Sequence, residues 1–349
     1  MAPYRQGKPA ADDAFKLSSN ENPYEPLPAV IEAIAQSQIN RYPDGMATVL
    51  RERLAERYGV TAGQIQVGAG SASVLSQLIS AAAAPGDEVL YAWRSFEAYP
   101  GLVAVAGATS VHVPNTPDHR HDLVAMAAAV TDRTRLIIVC SPNNPTSTVV
   151  TRAEFEALMA EVPTDILVVL DEAYAEFVTD ADAVDGSQLI GRYPNLVVLR
   201  TFSKAYGLAG LRIGYAVGPE YIMDAARATA IPLAVIDQAQ RAAIASLEHE
   251  SELLERVARL SVLRDEVYAS LVAQGWPVPR PHGNFVWLPT GEHTSWAAEV
   301  LTANGIVSRA LGEGLRVTIG EEASVEKLLK ASQEVIERLR TTPSATTLD

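Results

Sequence analysis

Lys204 lies in Thr201-Phe-Ser-Lys-Ala-Tyr-Gly-Leu-Ala-Gly-Leu-Arg212, a run of hydroxyls and glycines between two apolar, strand-like stretches at 195–200 and 213–218. A lysine that serves only as a solvated charge has no need of such flanks. An amine reaching out of this loop can attack a carbonyl and form a Schiff base once burial and a nearby cation, such as Arg212, lower its pKa. Other reactive residue types also follow apolar runs. Gly68-Ala-Gly-Ser71 precedes a helical stretch starting at Ala72, so free backbone amides and the Ser71 hydroxyl could hold a phosphate there. It is not a Walker loop, because no Gly-Lys-Ser/Thr follows, and a tight glycine turn capped by Ser71 would look the same. Ser141-Pro-Asn-Asn-Pro145 fixes two asparagines in a non-helical path, suited to holding a ring substituent or to an ordinary Pro/Asn turn. Asp171-Glu-Ala-Tyr174 offers a carboxylate that could be a metal ligand, a helix cap or the partner of a ligand cation. The six histidines (His112, His119, His121, His249, His282, His293) form no ligand-spaced cluster beside Asp171, which disfavours a metal.

The elements that must position these groups alternate in type. Strand-like runs at 65–67, 88–91, 110–113, 135–140 and 165–170 are joined by the two that flank Lys204. Helical patterns occupy 28–38, 46–58, 72–83, 122–130 and 152–161. Continuous Val/Ile/Leu runs separated by helices predict an α/β fold with a mostly parallel sheet covered on both faces. In such a sheet ligands gather at the carboxyl ends of the strands, where the reactive stretches fall. After Pro219 the texture changes: 239–273 is helix-forming with neither Gly nor Pro, followed by strand runs at 285–288 and 315–319 and helices at 295–303 and 325–340. The expected organisation is an N-terminal arm and part of a small domain over 1–43, a large domain over 44–245, a small α+β domain over 246–340, and a disordered tail at 341–349.

The chain has 349 residues, with 42 acidic against 28 basic side chains and a formal charge of -14. No basic stripe appears, so nucleic acid is not an expected partner. Cys140 is the single cysteine, which rules out an internal disulfide and suits a reducing cytosol. Residues 1–8 lack the apolar core of a signal peptide, and the apolar run at 78–84 is far too short to span a bilayer. The expectation is a soluble, cytoplasmic protein with no membrane partner.

An amine, an acid, a ring-holding asparagine, a tyrosine and an anion cradle together match one cofactor. Pyridoxal 5'-phosphate needs a lysine for its carbonyl, an acid at its pyridinium nitrogen and a site for its phosphate. At this point the sequence strongly resembles the fold type I pyridoxal-phosphate aminotransferases of the histidinol-phosphate aminotransferase branch, from Ser18-Ser-Asn-Glu-Asn22 through Leu315-Arg-Val-Thr-Ile-Gly320. That fold carries a seven-stranded, mostly parallel sheet beside a smaller α+β domain. The resemblance implies that Lys204 is the catalytic residue and bears the cofactor, with Asp171 at the pyridinium nitrogen. It places Tyr174 and Asn144 on the ring hydroxyl oxygen, Phe96 stacked on the ring, and Ser71, the Ala72 amide, Thr201, Ser203 and Arg212 on the phosphate. It also implies that Tyr42 reaches the phosphate of a neighbouring subunit in a homodimer. Arg316 matches the arginine that forks onto the substrate's anionic group, and Arg309 resembles a second anion contact. The implied reaction is a two-step ping-pong transfer of an amino group between amino acids and 2-oxo acids, with the lysine amine shuttling a proton.

Within that branch, Trp93-Arg-Ser-Phe-Glu-Ala-Tyr-Pro100 and Ser-Pro-Asn-Asn-Pro-Thr-Ser-Thr-Val149 resemble the actinobacterial aromatic amino-acid aminotransferases, including Ser147 where a Gly is usual. Leu233 stands where histidinol-phosphate enzymes typically carry a tyrosine, which favours an apolar ring over a phosphate-bearing substrate. Asn22-Pro-Tyr24, by contrast, looks more like the histidinol-phosphate group, and Asn22 and Tyr24 count with Leu233 as candidate substrate contacts. Aromatic amino-acid transamination is the reading preferred, with histidinol-phosphate transamination as the alternative. A phosphothreonine decarboxylase and a non-enzymatic sensor stand further off. Such sensors usually carry a DNA-binding domain upstream, which is not expected in this chain.

Overall fold

The computed structural model describes residues 13–341. The expectations for the first twelve residues of the arm and for the tail beyond Thr341 lie outside the described residues. Along the chain, β1 (Phe15–Lys16) leads to α1 (Pro28–Ala35), α2 (Thr48–Tyr58), β2 (Ile65–Gly68) and α3 (Ser71–Ala82). β3 (Glu88–Trp93), α4 (Tyr99–Val105), β4 (Thr109–Pro114), α5 (Leu123–Ala128), β5 (Thr134–Cys140), α6 (Arg152–Glu161) and β6 (Leu167–Asp171) follow. β7 (Leu196–Thr201) and β8 (Gly214–Val217) flank the lysine loop, and α7 (Glu220–Ala228), α8 (Asp237–Glu248) and α9 (Glu250–Ala273) come next. The chain closes with β9 (Phe285–Pro289), α10 (Thr294–Ala303), β10 (Ile306–Val307), β11 (Arg309–Ala310), β12 (Gly314–Thr318) and α11 (Val325–Thr341).

Strands β2 to β8 form one seven-stranded sheet in the order β2-β8-β7-β6-β5-β3-β4. β4, β3, β5, β6 and β7 run parallel, and β8 is antiparallel to both β7 and β2. Side chains alternate across this sheet as the pleat requires. Val89, Tyr91, Leu136, Ile138 and Val169 join α3, α4 and α7 on one face. Leu90, Ile137, Val139, Val168 and Leu170 meet α5 and α6 on the other. Each fully buried aliphatic side chain contributes about 1.5–3 kcal/mol to this packing. Double coverage is why the strands read as unbroken apolar runs.

A second, three-stranded sheet, β11-β12-β9, is antiparallel, and β1 pairs with β10. The arm therefore adds a strand next to the C-terminal part of the chain. The continuous helix-forming stretch at 239–273 is in fact two helices, broken at His249 (φ -111°, ψ 26°). No Gly or Pro marks that break. α8 buries Ala239, Ala242 and Ala243 while α9 buries Leu253, Val257 and Leu260, and the change of direction between them comes from packing rather than local propensity. Among the described residues, no helix is long and apolar enough to cross a membrane.

Candidate active site

At the carboxyl ends of β5, β6 and β7 lies a cavity of about 650 Å³. Eleven of the anticipated residues line it: Ser71, Ala72, Phe96, Asn144, Asp171, Tyr174, Thr201, Ser203, Lys204, Arg212 and Arg316. A somewhat larger cavity of about 760 Å³ sits to one side, but its buried cation, Arg200, is already paired with Glu172, Glu176 and Asp185.

Lys204 emerges from the loop between the antiparallel strands β7 and β8. Its Nζ donates to the backbone carbonyls of Ser19 (3.2 Å) and Asn20 (3.1 Å) and lies 5.7 Å from the Tyr174 ring centroid. Burial and the guanidinium of Arg316, with a smaller push from Arg212, lower its pKa to about 7, so near neutrality much of it is a free amine. The sequence offered Arg212 as one such cation; Arg316, remote in sequence, is the stronger one.

Asp171 ends β6. Its Oδ2 accepts a 2.6 Å hydrogen bond from the Tyr99 hydroxyl, while among the described residues no partner satisfies the buried Oδ1. Burial pushes its pKa up to about 6, against the pull of Tyr99 and the Ala173 amide. A buried acid that lines a cavity and keeps one oxygen unpaired is poised for a cationic ligand atom. Tyr99 went unseen in the sequence. It lies 72 positions from Asp171, and no spacing rule links the two.

Ser71 and Ala72 open α3, where the first amides have no intrahelical acceptor. The chain comes close enough here that glycine is required. A Cβ on Gly214 would run into the Ser71 amide, and one on Gly70 (φ +86°) would strike the Arg212 guanidinium. Arg212 is steered over the cradle by donating to Ser203 Oγ (3.3 Å) and Ala209 O (3.0 Å). Helix amides, two hydroxyls and a guanidinium thus converge as an anion site.

Arg316 enters from β12. It donates to Asn144 Oδ1 (2.6 Å) and to Ser18 O (2.6 Å), so the arm, the Asn-Pro loop and the second sheet meet at one guanidinium. Asn20, also unanticipated, donates from Nδ2 to the Tyr174 hydroxyl at 3.0 Å. Cys140 lines the cavity too, but burial raises its thiol pKa to about 12, which keeps it protonated.

Five anticipated residues lie elsewhere in the single chain. Asn22 donates to the carbonyls of Lys204 (3.2 Å) and Ala205 (3.1 Å), bracing the lysine loop from outside the cavity. Tyr24 lines a separate groove and lies under Arg256 and Arg259. Leu233 borders a cleft formed with residues 44–47. Tyr42 is 86% exposed, and Arg309 is ion-paired with Glu97. Among the described residues no group of three or more His, Cys, Asp or Glu side chains could hold a metal ion.

Ser147, at a position where Gly is usual and one of the points of resemblance to the aromatic group, adopts φ +65° and is fully buried. Its hydroxyl accepts from the amides of His282 (3.1 Å) and Gly283 (2.8 Å), tying the Asn-Pro loop to the strand entering β9. Ser147→Ala should keep the unfavourable φ and leave the Gly283 amide unsatisfied, while the His282 amide keeps its bond to the Ser147 carbonyl (2.8 Å), destabilising the protein by about 1–3 kcal/mol in chemical denaturation. An unchanged unfolding midpoint would show that the hydroxyl does not brace the loop.

The family model described as aminotransferase class I and II matches residues 12–331, so the chain belongs to that family and is an enzyme of the transaminase class. An aromatic amino acid aminotransferase of Streptomyces coelicolor is 54% identical over 95% of this chain and 94% of its own length. One from Cutibacterium acnes is 49% identical over 95% and 96%, respectively. Among solved structures, the histidinol-phosphate aminotransferase of Sinorhizobium meliloti in complex with pyridoxal-5'-phosphate superposes with a TM-score of 0.84. It is 28% identical, and the match covers 93% of this chain and 91% of that one. The seven-stranded sheet is the fold type I arrangement anticipated from the sequence.

Proposed function

We propose that this chain is an aromatic amino-acid aminotransferase that uses pyridoxal 5'-phosphate to exchange an amino group between Phe, Tyr or Trp and 2-oxo acids. The observation that carries the reading is the meeting of Lys204, Asp171 and Arg316 around one cavity with an anion cradle at its far side. The residues fit the cofactor. The unpaired Oδ1 of Asp171 would face the ring nitrogen, the Gly70–Ser71 cradle with Arg212 would hold the phosphate, and Asn144 and Tyr174 would hold the ring hydroxyl. Bound there, the cofactor supplies an electron sink for the pair left on the substrate Cα and a carrier for the amino group.

The protein's own part is to bind, orient and move a proton. Arg316 takes the substrate carboxylate in its planar fork. Lys204, with its lowered pKa, removes the substrate Cα proton as a neutral amine and returns it as an ammonium. Asp171, tethered by Tyr99, holds negative charge at the end of β6, and Phe96 covers the site with an apolar face. In the same reading the site lies where the 44–245 unit meets the 246–340 unit, and the 1–43 arm contributes Ser19 and Asn20. The enzyme acts as a cytoplasmic homodimer. Tyr42 is exposed, as are the apolar Ile39, Met46, Val49, Ile231 and Leu233, of which Met46, Ile231 and Leu233 share one cleft, and in this reading Tyr42 reaches the neighbouring copy's site.

The substrate choice follows the relatives at about half identity. Histidinol phosphate is the second reading, favoured by the fold neighbour of that name. Steady-state kinetics with both amino-group pairs separates them. kcat/KM for phenylpyruvate is expected to exceed that for the histidinol-phosphate pair, and the opposite order overturns the aromatic assignment.

A further inference from the structure

Asn20 is fully buried and adopts φ +52°, a left-handed backbone that asparagine tolerates better than most residues. Its carbonyl accepts from Lys204 Nζ (3.1 Å), and its Nδ2 donates to the Tyr174 hydroxyl (3.0 Å). One residue of the arm thus touches two groups that line the cavity. An amide can present either its oxygen or its nitrogen to a phenol, and the choice decides which way the hydrogen bond runs. Thr318 makes that choice. Its hydroxyl accepts from the Asn20 backbone N–H (2.9 Å) and donates its single proton to Asn20 Oδ1 (3.1 Å). Turned over, the amide would set Nδ2 against Thr318, and the buried Thr318 proton would lose its acceptor. Nδ2 is therefore held towards Tyr174. The phenol oxygen accepts from the protein, and among the described residues no group accepts the phenol proton. Since Tyr174 lines the cavity, that proton is left for a ligand.

We propose that Asn20 is a positioning residue that sets the direction of the Tyr174 hydrogen bond: locked by Thr318, its amide donates to the phenol oxygen and so reserves the phenol proton for the ring oxygen of the bound cofactor. The proposal deepens the functional reading above and rests on its placement of pyridoxal phosphate. A phenol that already accepts a hydrogen bond is a better donor, because each bond in a chain polarises the next. Donation to the ring oxygen favours its charged form, so that oxygen holds a proton less tightly. Tyr174 can donate without ionising, since burial pushes its own pKa up and keeps it protonated. A carboxylate in place of the amide would reverse the chain. It has no proton to give and would take the phenol's.

The test uses Asn20→Asp, Asn20→Gly and Tyr174→Phe, with each Asn20 change also combined with Tyr174→Phe. Asn20→Asp keeps the shape and reverses the bond. Asn20→Gly accepts the left-handed backbone, keeps the carbonyl that meets Lys204 and removes only the donor, so it carries the test if a buried charge prevents Asn20→Asp from folding. Two quantities are read. One is the pH midpoint of the visible absorbance of the cofactor-loaded enzyme. The other is the affinity of cofactor-free protein for pyridoxine 5'-phosphate, which has the ring hydroxyl but no carbonyl for the lysine. The midpoint should rise by about one pH unit in Asn20→Asp and by less in Asn20→Gly, the scale of one hydrogen bond to a charged group. Pyridoxine 5'-phosphate should bind about tenfold more weakly to Asn20→Asp. Both effects should largely vanish in the Tyr174→Phe background. If the Asn20 changes move the midpoint as far in that background as alone, they act through charge or fold and the proposal fails. If Tyr174→Phe moves the midpoint and neither Asn20 variant does, the cofactor placement stands and the proposal fails. If Tyr174→Phe itself leaves both quantities unchanged, the placement of Tyr174 on the ring oxygen fails, and the proposal with it.

Discussion

Lys204→Ala should reduce transamination by about 10⁴-fold or more, because general acid–base catalysis and the covalent anchor for the cofactor are lost together. Borohydride reduction of the wild type should fix the cofactor to Lys204, and the variant should trap none. A trapped adduct at another lysine would sink the assignment. The environment also predicts a pH signature. Only the neutral amine attacks a carbonyl, and Lys204 is held near pH 7 by burial and by Arg316. Capture of pyridoxal phosphate by cofactor-free protein should therefore quicken about tenfold per pH unit below pH 7 and level off above it. A lysine with its ordinary value of 10.5 would still be gaining at pH 9, and that profile would exclude the proposed environment. Small primary amines added to Lys204→Ala should restore part of the proton transfer without restoring the covalent link, separating the two roles.

The parts of this site legible in the sequence are those that lie at strand ends. Asp171, Asn144, Ser71 and Lys204 each follow an apolar run, and a parallel sheet brings such ends to one edge whatever lies between them. Strand positions were accessible for the same reason: coverage on both faces leaves continuous Val/Ile/Leu runs, and β5 to β8 begin and end within two residues of their expected limits. What depended on pairing between distant segments was not legible. Tyr99 reaches Asp171 because α4 lies across the sheet face, and Asn20 reaches Tyr174 because the arm passes over the cavity with φ +52° at that residue. The turn between α8 and α9 left no trace either, since His249 is a tolerable helix residue and packing alone bends the chain there. Arg309 shows the limit from the other side. Its type and place suggested an anion contact, but its charge is already met by a carboxylate 212 positions away.

Arg316→Ala should lower kcat/KM by about 10²–10³-fold, equivalent to about 3–4 kcal/mol, because a planar fork for the substrate carboxylate is lost along with its charge. The loss should fall mainly on KM if the carboxylate is gripped equally in ground and transition states. Arg316 also has a structural task, since it donates to Asn144 and to the Ser18 carbonyl, so a drop in activity alone does not identify its role. The lysine supplies the discriminating readout. Arg316 is the largest electrostatic contribution holding the Lys204 pKa down, and removing a like charge must raise it. The midpoint of cofactor capture should therefore move upward from about pH 7 in Arg316→Ala. Arg316→Lys keeps the charge and loses the fork, so it should return the midpoint toward the wild-type value while kcat/KM stays low. If both variants show the wild-type midpoint and unchanged kcat/KM, Arg316 neither binds the substrate nor tunes the lysine. If activity falls in both while the midpoint never moves, its role is confined to holding Asn144 and the arm.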